Sequence, residues 1–132
     1  MKTTTSPYDA LGGEQGVQKL VDRFYDLMDE REDTRELRNM HAKSLRVSRE
    51  KLFLFLSGWL GGPSLYTEKY GHPMLRRRHL PFRITSQERD QWLACMNQAL
   101  EEQVDDKMLL ASLKGSFYKV ADHMRNAQDK CP

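Results

Sequence analysis

Two prolines bound a segment too short to hold itself together. Pro73 suits the first turn of a helix. Pro81 ends one, because proline lacks an amide hydrogen and pushes the residue before it out of the helical region. Between them, Met74-Leu75-Arg76-Arg77-Arg78-His79-Leu80 has room for one short helix over 74–79. A helix of that length is not stable alone in water. Something other than its own backbone must hold it, and a metal–histidine bond at His79 would do so. The rest of the chain has to bring a partner to that segment.

The rest reads as helix. Ser6-Pro7-Tyr8-Asp9 is a helix start, with Ser as cap, Pro at the first position and an acid at the third. Gly12-Gly13 stops that short element. A helix over 14–30 follows, with Val17, Leu20, Val21, Phe24 and Leu27/Met28 as its buried stripe. Tyr25 lies four residues after Val21, so its phenol also points inward and needs a hydrogen-bond partner. A short helical piece is expected over 34–39, and His41 falls in the turn after it. Residues 48–60, SREKLFLFLSGWL, put Ser48, Lys51/Leu52, Phe55 and Trp59 on one face and Phe53, Leu56 and Leu60 on another. A helix apolar that far round is expected to be buried on more than one side. Ser44 or Ser48 is its expected cap, and Gly61-Gly62-Pro63 ends it. Residues 64–72 read as a loop. Thr85-Ser86-Gln87-Glu88 is a capping box. It opens a helix to about 103 with Trp92, Leu93, Met96, Ala99 and Leu100 inward. Asp105 or Asp106 opens the last helix, whose stripe is Leu109, Leu113, Phe117, Val120 and Met124. No alternating run rich in Val, Ile or Thr occurs, so the expected class is all-α.

Length and charge narrow the function. At 132 residues the chain is expected to form one domain over 1–132, with flexible tails at about 1–5 and 126–132. Its 21 basic and 19 acidic residues leave a net charge of +2, too balanced for nucleic acid or an anionic membrane as the main partner. No apolar run approaches the roughly 20 residues of a membrane span, and the N-terminus carries no apolar signal segment. Cys95 and Cys131 do not make a metal-type pair. They read as a core thiol and a tail thiol, as expected in a reducing cytoplasm.

Of the four histidines, His41, His72, His79 and His123, only His79 sits on a proline-bounded helix beside three arginines. A neutral imidazole with a free lone pair suits iron. No histidine or carboxylate set at structural zinc spacing surrounds it. One protein ligand to iron implies that a macrocycle supplies the others, as in haem. Lys51, Arg76 and Arg78 are candidates to neutralise the two haem propionates. Leu52, Phe55, Leu75, Leu80, Phe82, Trp92 and Met96 are candidates for an apolar ring pocket. Without His79 those apolar residues read as ordinary core, and 76–78 as a solvated basic patch.

The pattern resembles the truncated haemoglobins, specifically their bacterial group II branch. The matching stretches are Phe24-Tyr25, SREKLFLFLSGWLGGP at 48–63, LYTEKYGHPMLRRRHLPFRIT at 65–85 and ERDQWLACM at 88–96. The resemblance implies a truncated globin fold, a two-over-two helical sandwich around haem b. It implies His79 as proximal ligand, with Tyr25 and Trp92 donating hydrogen bonds to a distal ligand. Ser48 and Leu52 match distal-helix positions that face that ligand. His41 stands where relatives usually carry Tyr or Phe, a departure that makes the distal side more polar. The implied function is reversible binding of O2, CO, NO or peroxide, with oxygen binding or transport as the leading role. The alternative is a haem redox enzyme, peroxidase-like or detoxifying nitric oxide. That would need a separate electron-donating reductase, since no flavin or nicotinamide motif is present. A third reading is a haem-free helical module that uses 76–78 against an acidic partner.

Overall fold

The computed structural model describes residues 6–127, apart from the Arg76 side chain. The expected tail residues 1–5 and 128–132, and Cys131, lie outside the described residues, and so does the propionate role expected of Arg76.

The elements are α1 (Pro7–Ala10), α2 (Gly13–Glu30), a 3-10 turn (Glu32–Thr34), α3 (Arg35–Asn39), α4 (Arg46–Trp59), α5 (Leu65–Tyr70), α6 (Leu75–His79), α7 (Ser86–Gln103) and α8 (Lys107–His123). Among the described residues there is no strand. Among the same residues no helix is long and apolar enough to cross a membrane. Two helix pairs, α2 with α4 and α7 with α8, meet through the α2–α7 contact. Val17, Leu20, Val21 and Phe24 of α2 are wholly buried there, packed in one core with Met96 and Leu100 of α7 and Phe117 of α8.

Local signals account for the ends. Ser6 accepts the Asp9 amide at 3.2 Å. Thr85 and Glu88 form the reciprocal capping box. Asp106 caps α8 by accepting from the amides of Met108 and Leu109. The Gly61-Gly62-Pro63 break does more than stop α4. A Cβ at Gly62 would lie 2.4 Å from the Tyr8 ring. The absent side chain lets α1 lie against the end of α4, where the Tyr8 amide donates to Leu60 O at 2.9 Å.

Several expectations change. Residues 65–70, read as loop, form α5, because Tyr66 buries its ring against α4. Helix α4 starts at Arg46, and its first amide donates to Ser44 Oγ at 3.3 Å; Ser48 lies inside the helix. Within α4 only Leu56 and Ser57 are buried. Leu52, Phe55 and Trp59 stay half-buried, so this face is not covered by helix on a second side. Pro73 stands outside α6, and Met74 caps it with φ 47°, a left-handed conformation uncommon for a side-chain-bearing residue. Asn126, expected in a frayed tail, bonds to Ile84 O through its amide at 2.9 Å.

Two glycines in helices predict opposite outcomes. A Cβ at Gly16 would meet Leu11 O at 1.8 Å, whereas one at Gly115 meets nothing within 4 Å. Gly16→Ala should destabilise by about 2 kcal/mol or more, since the clash is with backbone. Gly115→Ala should stabilise by about 1 kcal/mol through helix propensity. Urea unfolding of both variants checks the pair; equal signs would contradict the packing described.

Candidate functional site

His79 ends α6 and is half-buried. Its Nδ1 lies 2.6 Å from Leu75 O, one turn earlier. A carbonyl only accepts, so Nδ1 carries the hydrogen and donates. In the neutral ring Nε2 then keeps its lone pair. This is how a metal-binding histidine is usually oriented, by a second hydrogen bond on the opposite ring nitrogen. Arg78, exposed, donates from Nε to Pro73 O at 2.7 Å, and its guanidinium stands 5.7 Å from the centre of the Tyr66 ring. Leu75 is half-buried, while Leu80 and Phe82 are 55% and 45% exposed, so neither belongs to the protein's own core.

Tyr25 is buried on α2, edge-on to Phe24 at 4.8 Å and 6.0 Å from the His41 ring. Burial pushes its phenol well above the ordinary ionisation range, while the Arg49 charge and a hydrogen bond with Ser48 pull the other way. Burial wins, so the phenol stays neutral. Ser48 is the polar side chain next to the phenol, and either hydroxyl can donate to the other.

His41 repeats the geometry of His79. Its Nδ1 lies 2.9 Å from Leu37 O, so that nitrogen donates and Nε2 is an acceptor while the ring is neutral. Burial lowers its pKa below the ordinary 6.5; the Leu37 bond opposes this, and the charges of Arg38 and His79 add to it. The neutral form therefore prevails, and the ring accepts through Nε2. Helix α3, which carries Leu37, is fastened by Gln91 of α7. The Leu37 amide donates to Gln91 Oε1 at 3.0 Å, and Gln91 Nε2 donates to Glu36 Oε1 at 2.8 Å. Trp92 follows, half-buried, its ring 5.0 Å from Phe24 and 5.8 Å from Phe117.

Ser48, Leu52 and Phe55 form a half-buried wall on α4. Phe55 stands 6.5 Å from Tyr66. Lys51 is exposed, with its ammonium 5.6 Å over the Tyr70 ring. Met96, expected to touch a ring cofactor, has no exposed surface; it faces the core shared with α2, because α7 packs most extensively on that helix. One residue the sequence reading passed over is Arg49. Its guanidinium donates to Asp22 O at 3.1 Å, Asp22 Oδ1 at 3.2 Å and Asp26 Oδ1 at 2.8 Å, and lies 5.8 Å from the Tyr25 ring centre. The signal was the i, i+4 acid pair Asp22/Asp26 flanking Tyr25.

These residues fit a haem. One imidazole offers a free Nε2. The half-covered Leu52, Phe55, Leu75 and Trp92 and the exposed Leu80 and Phe82 offer apolar surface, and Lys51 and Arg78 offer exposed cations for carboxylates. Among the described residues no group of three or more His, Cys, Asp or Glu could hold a bare metal ion. Iron at His79 would need its remaining ligands from a macrocycle.

The chain is similar to known proteins over most of its length. The model of the family described as bacterial-like globin matches residues 6–126. The group 2 truncated haemoglobin YjbI of Bacillus subtilis (strain 168) is 40% identical over 121 residues, covering 92% of this chain and 89% of its own. The structure of a cold-adapted truncated haemoglobin from the Antarctic marine bacterium Pseudoalteromonas haloplanktis TAC125 matches with TM-score 0.91 and 49% identity, covering 93% of this chain and 99% of its own. The X-ray structure of a truncated oxygen-avid haemoglobin from Bacillus subtilis matches with TM-score 0.81 and 38% identity, covering 92% and 100%.

The half-buried His41, whose neutral form prevails, carries a pH signature. Its folded-state pKa lies below 6.5, so the unfolded chain binds more protons in the window between the two values. Stability should fall as pH drops below 6.5 and should show no His41 contribution above it. Urea unfolding of His41→Phe should show a smaller loss over that window than the parent chain; an equal loss would mean that burial does not hold the ring neutral.

Proposed function

The chain belongs to the bacterial-like globin family, in its group II truncated haemoglobin branch, and from that premise we propose that it is a haem b protein that reversibly binds dioxygen and related diatomic ligands, with His79 as its proximal iron ligand. Membership carries the coarser part, a globin whose family is associated with haem and small gaseous ligands. The observation that carries the finer part is the fixed tautomer of His79, with Nδ1–H committed to Leu75 O and Nε2 free.

When bound, haem supplies an iron with an open position for a diatomic ligand. The chain's own residues do the rest. Lys51 and Arg78 offer cations to the propionates. Leu52, Phe55, Leu75, Leu80 and Phe82 exclude water from the ring. Tyr25 and Trp92 act as distal donors, with Ser48 aligning the phenol. Leu52 makes no hydrogen bond. Neutral His41, its donor hydrogen committed to Leu37 O, faces the ligand as an acceptor. Two donors in a low-dielectric pocket favour slow release, in keeping with the oxygen-avid description of the Bacillus subtilis relative. A cytoplasmic setting is part of this reading, supported by the free, buried Cys95 thiol.

One observation favours a second reading. An acceptor Nε2 on His41 can take a proton from peroxide, which suits general-base assistance of redox turnover. Peroxidase-like or nitric-oxide-detoxifying activity of this kind would draw electrons from a separate reductase. Peroxide turnover that falls in His41→Phe while oxygen binding persists would establish it.

The direct test is the optical spectrum of the ferric, ferrous and oxygenated forms, together with His79→Gly, which should purify colourless or short of haem. Tyr25→Phe and Trp92→Phe should each speed oxygen release by about tenfold, the scale of one hydrogen bond to a charged acceptor. Release rates unchanged in both variants would remove the donor network.

A further inference from the structure

The described chain ends by reaching back to the proximal turn. Asn126 stands three residues past the end of α8. Its Nδ2 donates to His79 O at 3.1 Å and to Phe82 O at 2.8 Å. Its Oδ1 accepts the Ile84 amide at 2.9 Å. The Asn126 and Ala127 backbone amides both donate to Ile84 O, at 2.9 and 3.2 Å. One amide side chain thus spends both its hydrogens and its oxygen on a single turn, from His79 to Ile84. Other side chains do not match that set. Aspartate has no donor, serine has only one, and glutamine is longer by a methylene.

The turn needs such a fastening. Helix α6 has five residues and no extensive contact with any other helix. Its terminal carbonyls have no intrahelical partners. His79 O receives the Phe82 amide at 3.0 Å, and Pro81 has no hydrogen to give. Ile84 is the nearest buried residue beyond it. Asn126 therefore ties the backbone of His79 to the end of α8 and to that buried residue. On the reading that His79 is the iron ligand, we propose that Asn126 is a positioning residue for the proximal imidazole, setting the depth and tilt at which His79 presents Nε2. Leu75 O fixes the ring's rotation from one side; Asn126 fixes its backbone from the other.

Resonance Raman spectra of the ferrous, ligand-free protein read the iron–histidine stretch, and transfer to excess apomyoglobin reads the haem-loss rate. Asn126→Asp keeps the shape but turns an oxygen toward two carbonyl oxygens. It should move the stretch to lower frequency and speed haem loss by about tenfold, the scale of two lost hydrogen bonds. Asn126→Ala should act in the same direction more weakly. If thermal stability falls in both variants while stretch and haem loss keep their parent values, Asn126 is a fold contact and the inference is overturned. His79→Gly separates the two readings. Loss of the band, restored by added imidazole, upholds His79 as ligand whatever Asn126 does; an unchanged band in that variant removes the ligand reading itself. Hydrogen exchange of the parent protein needs no variant. The Ile84 amide should be strongly protected, and exchange there at open-loop rates would overturn the clamp.

Discussion

A single hydrogen bond, from the ring of His79 to the carbonyl of Leu75, decides what the rest of the structure can do. It converts a symmetric choice between two ring nitrogens into one outcome, with the donor turned into the helix and the lone pair turned out. The bond exists only because α6 is helical at that point, since a histidine reaches the carbonyl four residues back only across one turn. The five-residue helix thus serves as a jig for one ring. His41 is held in the same way by Leu37 O on another five-residue helix. Two imidazoles, one ending a short helix and the other two residues past the end of another, each have their Nδ1 committed and their Nε2 available.

Neither short helix could persist on local energetics, and each is fastened from a long one by a side-chain amide. Gln91 of α7 holds Leu37 and Glu36, and Asn126 beyond α8 holds His79, Phe82 and Ile84. The work is divided. Helices α2, α7 and α8 bury their apolar stripes in one core and are rigid for that reason. The wall of α4 and the turn around α6 keep apolar side chains partly uncovered, which is the surface a flat hydrophobic cofactor requires.

Much of this was legible in the chain. The stripes of α2, α7 and α8, the capping box at Thr85 and the proline-bounded segment around His79 all announce themselves through spacing or a single residue's chemistry. What was not legible depends on contacts between distant positions. Helix α5 has no clean period, and it forms because Tyr66 finds α4. Arg49 binds Asp22 and Asp26 more than 20 residues away, and Asn126 binds a turn 42 to 47 residues earlier. A polar side chain leaves no periodic trace of its partner. Met96 has inward spacing and is buried, but periodicity does not say which neighbour covers it. The half-burial of Leu52 and Phe55 has the same root: the apolar pattern marks surface that avoids water without naming what covers it.

Met74, which caps α6 in the left-handed region, gives that helix unequal ends. A side chain at positive φ costs about 1–2 kcal/mol, so the N-terminal end of α6 begins with a deficit, while its C-terminal end is stitched down by Asn126. The carbonyl that orients the ring lies at the strained end, where the Arg78 Nε bond to Pro73 O and the Met74 amide bond to His72 Nδ1 offset the deficit. The ring's compass thus depends on its own local stitches and its anchor on a distant one.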